Sequence, residues 1–356
     1  MLFSPLTLGE LELPNRLVMA PLTRVRSGEA GIPGPLVVEH YRQRASLGLI
    51  VSEGTYPSPA GRAYSGQPGI VTDEQIAGWK KVTDAVHAEG GRIFAQIMHG
   101  GRVSHEAITG GHEIVAPSAV AIEGDVRTPL GKLPYPVPHA LTTDELPLVI
   151  QEFVTASLNA VEAGFDGVEL HSANGYLLHE FLAPNTNVRT DSYGGSPENR
   201  ARFVIETANA VVAALGANRV GIRLSPEHNV QGTSEVDAAD IRATYEVLVD
   251  SIAPLNLAYL SVLHQDPAGE LVQDLRARFG GTFLVNSGFG VITSREEAVS
   301  LVEDGHADAV VVGRPAIANP DLARRWKEGL PLNEPDPSTF YADGAEGYTD
   351  YPAYSA

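Results

Sequence analysis

The chain has 356 residues, 43% of them hydrophobic and 19% charged, with a formal net charge of −19 at pH 7. Such acidity works against nucleic acid or an anionic membrane as a main partner, because like charges repel. Cysteine is absent, which excludes disulfides, thiolate catalysis, cysteine-ligated zinc and cysteine-held iron–sulfur clusters together.

The opening LFSPLTLGELELPNRL alternates around Gly9-Glu10 and reads as a short hairpin. It lacks the basic start, apolar core and small-residue cleavage site of a signal peptide. No stretch approaches the ~20 apolar residues of a membrane span. A cytoplasmic location is expected, since a cytosolic protein needs no disulfides.

Short runs rich in Val, Ile and Leu then alternate with amphipathic stretches. Strands are expected at 16–21, 49–54, 92–99, 167–172, 220–225, 258–263, 282–288 and 309–314. Their lack of polar alternation suits parallel strands covered on both faces. The first long helix, 72–91, is capped by Thr72 or Asp73 and ends at Gly90-Gly91. The stretch 100–141 has many Gly and Pro residues and no helical period; a loop of that length in a compact domain is usually functional. The helix at 142–165 carries acidic residues in its first turn, and the one at 196–216 has Ser196 as cap and Pro197 at its first position. Further helices are expected at 237–253, 293–307 and 319–330, and the tail from Pro331 reads as irregular.

Eight βα units in one chain of this length predict a (β/α)8 TIM barrel, a single domain over 1–356. The hairpin would plug its bottom, and the long loop after the third strand would form a lid. The rival is a doubly wound sheet, which usually has a glycine-rich turn after its first strand; here that place holds APLTRVRSG.

Barrel active sites sit at the C-terminal ends of the strands. Those ends deliver Pro21, Leu22 and Thr23, then Glu53-Gly54, Gln96, Met98 and His99, and His171, Asn174 and Tyr176. Arg223, Asn286-Ser287-Gly288 and Gly313-Arg314 complete the rim. Glycines after the seventh and eighth strands suit a phosphate held by backbone N–H groups, with Arg314 as a cationic fork. The alternative is two ordinary turns with a surface arginine. Thr23, Gln96 and Arg223 bring a hydroxyl, an amide and a guanidinium to one mouth. They suit a flat heteroaromatic ring that gathers negative charge, as a reduced flavin does. For Arg223 the alternative is an ion pair with a rim carboxylate such as Glu53.

The segment HSANGYLLHEFLAPNTNVRTDSYGGSPENRARF, with APLTR, QIMHGGR, GIRLSP and VVVGRPAIANPDLARR in order, resembles the Old Yellow Enzyme family of flavin-dependent ene-reductases. The similarity covers essentially the whole chain. It implies non-covalent FMN, met by Pro21, Leu22, Thr23, Gly54, Gln96 and Arg223, with Ser287, Gly288, Gly313 and Arg314 on its phosphate. It implies that His171 and Asn174 bind the oxygen of an activated alkene and that Tyr176 donates a proton. Tyr64, Met98 and Tyr341 would wall the substrate pocket. NADH or NADPH would reload the flavin in a ping-pong cycle, with hydride leaving flavin N5. Substrates would be α,β-unsaturated carbonyls, nitro-olefins, nitrate esters and quinones, and the protein a monomer or homodimer. Met98 stands where the family commonly has an aromatic residue, and Thr23 where one subgroup has Cys.

Two other readings compete. A metal-dependent barrel hydrolase could draw on His99, His105, His112, His171 and His179, but MAPLTR offers no histidine pair from the first strand. A barrel that binds without catalysis would leave Tyr176 and the paired donors without a task.

Overall fold

In the computed structural model, which describes residues 1–355, Leu6–Leu8 (β1) and Leu11–Leu13 (β2) pair antiparallel. Gly9 makes the turn at φ +59, where a Cβ would lie 2.6 Å from the Asn218 carbonyl oxygen. Leu8 and Leu13 cluster with Val18, Leu49, Phe94, Leu284 and Val311 inside the barrel, so the hairpin is the expected plug.

The barrel begins with Leu17–Met19 (β3), Leu49–Val51 (β4) and Ile93–Ile97 (β5). The chain then leaves it for the long excursion over 100–141. That excursion has more order than its sequence suggests. Val115–Ala116 (β6) pairs with His139–Ala140 (β9), and Asp125–Thr128 (β7) forms a hairpin with Gly131–Pro134 (β8). A short helix, Glu106–Thr109, is capped by His105, whose Nδ1 accepts the Ala107 N–H at 3.0 Å. At four residues it is too short to show a helical period.

Gly167–Ser172 (β10), Val220–Leu224 (β11), Tyr259–Leu263 (β12), Phe283–Asn286 (β13) and Ala309–Val312 (β14) complete a closed parallel barrel of eight strands. The ladders stop short of several expected ends. Pro21, for instance, has no N–H to donate and lies beyond β3.

Helices fill the connections. Thr72 is the cap of Asp73–Ala88, in a capping box with Gln75. The helix expected from Thr142 starts at Leu146, with Pro147 in its first turn and no acidic residue there. Glu145 instead takes the Thr142 N–H at 2.7 Å and His139 Nε2 at 2.9 Å, tying the lid's end to the helix start. Among the described residues, no helix is long and apolar enough to cross a membrane.

Alternate residues of each strand face the barrel axis. The lower layers are apolar, from Val18, Leu49, Phe94, Leu284 and Ala309. Above them the inward positions turn polar: Gln96, Glu169, Arg223, Ser261 and Asn286 are all buried. The polar part of the barrel therefore starts below the rim, inside the strands.

Candidate active site

Parallel pairing puts Glu169 beside Gln96 and His171 beside Arg223. Gln96 Nε2 donates to Glu169 Oε1 at 2.8 Å, and the Tyr259 hydroxyl donates to Oε2 at 2.9 Å. Burial pushes the Glu169 carboxyl above its ordinary pKa, while Arg223, Gln96 and Tyr259 pull it back. Arg223 donates to Ser261 Oγ at 3.1 Å and Asn286 Oδ1 at 3.0 Å. No ion pair joins it to Glu53, whose Oε2 accepts the N–H groups of Arg24 at 2.9 Å and Val25 at 3.1 Å. Glu53 thus fixes the chain just after Thr23.

A cavity of about 1420 Å³ opens at the C-terminal ends of the strands. Pro21, Leu22, Thr23, Gln96 and Arg314 line one part of it. His171, Asn174, Tyr176, Tyr64, Met98 and Tyr341 line another. The lid contributes Thr128 and Tyr135, so it does overhang the mouth.

Three expected residues sit behind the wall, and two more, Gly288 and Gly313, lie in half-exposed turns beside it. Arg223 lies under it, 3% exposed. Gly54 is pressed against Met98, whose Sδ would be 2.5 Å from a Cβ at that position, and its carbonyl accepts from Gln67. The Ser287 hydroxyl turns away from the cavity and donates to Glu297, so only the backbone of Ser287 is left for an anion. Gly288 and Gly313 carry their turns, the first at φ +92.

The donors come from the connection after β10. Ala173–Tyr176 is a tight turn with Asn174 at φ +57 and Gly175 at φ +81. The Asn side chain tolerates that left-handed backbone better than most, so Asn174 is both a turn residue and a cavity residue. His171 Nδ1 and Asn174 Oδ1 are fully buried without a partner, which leaves Nε2 and Nδ2 to meet the cavity. Burial, then the charge of Arg223, holds His171 well below the ordinary histidine pKa, so its ring is neutral at pH 7. The Tyr176 hydroxyl lies 2.7 Å from the Tyr64 hydroxyl, with the rings edge to face. Burial raises the Tyr176 pKa.

The cavity suits FMN on three counts. Arg223 Nε is buried without a partner beneath it. A Cβ on Gly313 would meet nothing nearer than Leu22 at 3.5 Å, and on Gly290 nothing at all, so the backbone at the two glycine turns is open to a phosphate. Arg314 stands beside them, donating to the Phe289 carbonyl at 2.5 Å. For a metal the residues fit poorly. Among the described residues no three His, Cys, Asp or Glu side chains form a metal-binding group, and His99, His105 and His179 are each committed to a backbone N–H.

Sequence reading missed Glu169, Tyr259 and Tyr135. Glu169 was readable from period two, since it lies two residues below His171 on the same strand face. Nothing in a glycine-rich lid singles out Tyr135. Tyr341 comes from the tail, which is held by Arg24 and Arg26: Arg24 donates to Gly347 O at 2.7 Å and Arg26 to Thr339 O at 2.9 Å.

Known proteins match the whole architecture. The family model described as NADH:flavin oxidoreductase / NADH oxidase family matches residues 1–333. A probable flavin mononucleotide-dependent alkene reductase of Leishmania infantum is 43% identical, over 99% of this chain and 97% of its own. 12-Oxophytodienoate reductase 1 of Oryza sativa subsp. japonica is 41% identical, over 99% and 92%. Among solved structures, morphinone reductase superposes with a TM-score of 0.92 at 46% identity, covering 99% of this chain and 96% of that one. The old yellow enzyme homologue of Zymomonas mobilis gives 0.94 at 38% identity, covering 99% of both. The chain belongs to the NADH:flavin oxidoreductase / NADH oxidase family, the Old Yellow Enzyme family that its motifs resemble.

Proposed function

We propose that this chain, working as one domain, is an FMN-dependent reductase of activated C=C bonds that draws on NADH or NADPH. Its substrates are α,β-unsaturated carbonyls and nitro-olefins, with nitrate esters and quinones as further candidates. The observation that carries the reading is the meeting of a neutral His171, Asn174 and Tyr176 on one cavity wall.

FMN, once bound, would supply the hydride chemistry needed at the β-carbon of the alkene. Thr23, Gln96 and Arg223 would hold its ring, and the backbone of Gly288 and Gly313 with Arg314 its phosphate. As the β-carbon is reduced, negative charge gathers on the substrate oxygen. His171 Nε2–H and Asn174 Nδ2–H aim at that oxygen and stabilise the charge; losing one such donor costs about 10²–10³ in rate. A neutral imidazole serves here because it donates without first having to be charged. Tyr176 then gives its proton to the α-carbon. Its raised pKa keeps it protonated at neutral pH. The Tyr64 hydroxyl, 2.7 Å away, donates to the phenolate that forms. Tyr64, Met98 and Tyr341 shape the space for the substrate. Every residue named comes from one chain, so the reading serves a monomer or a homodimer. A cytoplasmic location belongs to it, because NADH and NADPH are supplied there.

The test is the absorbance of the purified protein. Flavin bands should bleach when NADH or NADPH is added without oxygen and return when an enone follows. A colourless protein, or reduced bands that an enone leaves unchanged, would end this reading.

A further inference from the structure

His179 lies outside the cavity wall and takes no part in the chemistry above. It is fully buried, as is Tyr245, and Glu235 is 4% exposed. The three form one cluster beneath the donor turn. Gly175 N–H donates to His179 Nδ1 at 2.8 Å, so Nδ1 carries no proton and the ring's N–H is on Nε2. Nε2 lies 3.2 Å from Glu235 Oε1. The Tyr245 hydroxyl donates to the same Oε1 at 3.0 Å. Glu235 Oε2 accepts the Glu227 N–H at 2.9 Å. A buried carboxylate is costly unless its oxygens are bonded; here both are.

The turn itself is held at three backbone atoms by three different elements. Asn174 N–H donates to Ser225 Oγ at 2.8 Å, at the end of β11. The Asn174 carbonyl accepts from Gln231 Nε2 at 2.8 Å, on the following loop. Gly175 N–H goes to His179, on helix Leu177–Leu182. A Cβ on Gly175 would lie 2.8 Å from the Val230 carbonyl oxygen and 2.9 Å from Gln231 Cβ, so the turn fits tightly against that loop. Two consecutive residues at positive φ are otherwise a strained arrangement when one is not glycine. Glu235 joins two of the three supports, because it bonds both His179 and the base of the 227–235 loop that carries Gln231.

We propose that His179, backed by Glu235, is the positioning residue that aims Asn174 and Tyr176 at the substrate. This rests on the reading of those two residues as oxygen-binding donor and proton donor. His179 touches no reacting atom. It fixes the peptide plane between Asn174 and Gly175, and so the path of the turn that carries both side chains. A misplacement of about 1 Å at a reacting group can cost about 10²-fold.

Two substitutions separate positioning from packing. In His179→Asn, the Asn Oδ1 falls near the place of Nδ1 and can accept the Gly175 N–H. In His179→Gln, the amide reaches Glu235 but leaves no acceptor under Gly175. The readouts are the affinity of a simple para-substituted phenol, FMN retention, kcat and KM for an enone, and the melting temperature. His179→Gln should lose about ten- to hundredfold in phenol affinity and in kcat with FMN still bound, and His179→Asn should recover most of both. Equal losses in the two variants, tracking equal falls in melting temperature, would reduce His179 to a packing residue and overturn the proposal. So would unchanged phenol affinity in His179→Gln, provided His171→Ala with Asn174→Ala abolishes it. If that double variant also binds phenol normally, the proposed function itself is wrong. Tyr245→Phe, which removes one hydroxyl from the cluster, serves if the His179 variants do not fold. It should weaken phenol binding by about threefold, and no change would overturn the proposal.

Discussion

Replacing Tyr64 by Phe removes one oxygen from the cavity and tests how the proton donor is supported. In the resting protein the pair shares one hydrogen bond of 2.7 Å. Burial raises the pKa of both phenols, and the bond to Tyr64 offsets part of the rise at Tyr176. Tyr176 is the phenol whose ring packs beside His171, so it is the one placed to give up its proton, with Tyr64 as its hydrogen-bond partner. When Tyr176 gives up its proton, a neutral hydrogen bond becomes a bond to a phenolate. Bonds to charged groups contribute about 1.5–3 kcal/mol. The neutral bond also lost from the resting pair, about 0.5–1.5 kcal/mol, offsets part of this; at about 1.36 kcal/mol per factor of ten, the remaining ~1–1.5 kcal/mol is roughly five- to tenfold in alkene reduction. The ring of Phe keeps the edge-to-face contact with Tyr176, so packing changes little. Anaerobic stopped-flow reads the two half-reactions separately, through flavin bleaching by NADPH and its recovery with an enone. Only the second should slow. If both slow equally, Tyr64 acts on cofactor or fold. If neither slows, Tyr176 needs no partner and the relay argument fails.

Tyr176→Phe should slow recovery with an enone more than Tyr64→Phe does, and leave bleaching by NADPH intact; an equal fall in both would remove Tyr176 as proton donor. Glu53, buried behind the Thr23 loop, has its pKa pushed from 4.5 up to about 7 by burial, against the pull of the Arg24 and Val25 N–H groups. Because the folded chain holds that proton more tightly than the unfolded chain, the folded state loses stability as pH rises from about 4.5 through 7. Glu53→Gln, which keeps an acceptor for both N–H groups, should flatten that fall, by an amount on the order of 3 kcal/mol between pH 5 and 8 in urea titrations. Parallel curves for the two proteins would show that Glu53 does not titrate there. Thr72→Ala removes one half of a capping box and should cost about 1 kcal/mol, read by the same titrations, with no change in either half-reaction.

What could be read from the sequence follows from which interactions are local. Eight apolar runs separated by helical periods force parallel pairing, so the barrel and its rim were legible, and with them His171, Asn174 and Arg223. Thr72 was legible because a capping box spans four residues. The start of the helix at Leu146 was not, since Glu145 before it binds His139 at the end of the lid, a contact that no local pattern encodes. The lid's small strands pair β6 with β9 across more than twenty residues, and their pattern is two residues long. Tyr341 is brought to the cavity by long-range bonds, such as those from Arg24 and Arg26 to the carbonyls of a tail more than three hundred residues away.

Glu169 marks where a rim-based account of barrels stops short. Viewed from the strand ends, Gln96 and Arg223 are isolated polar residues awaiting a ligand. In the barrel they top a buried polar layer in which Glu169 takes a bond from Gln96 and from Tyr259, while Ser261 and Asn286 hold Arg223. That layer fixes which way each ligand-facing group points before any ring arrives, so little ordering is left to be done on binding. It also tempers the charge. A lone guanidinium buried above an apolar core would be costly, and the Glu169 carboxyl, one layer below, supports it. The same logic recurs on the substrate side, where His179 and Glu235 lie under the donor turn. Both halves of the cavity are thus built as a ligand-facing group over a buried carboxyl, and in both it is the inner member that the motif reading left without a role.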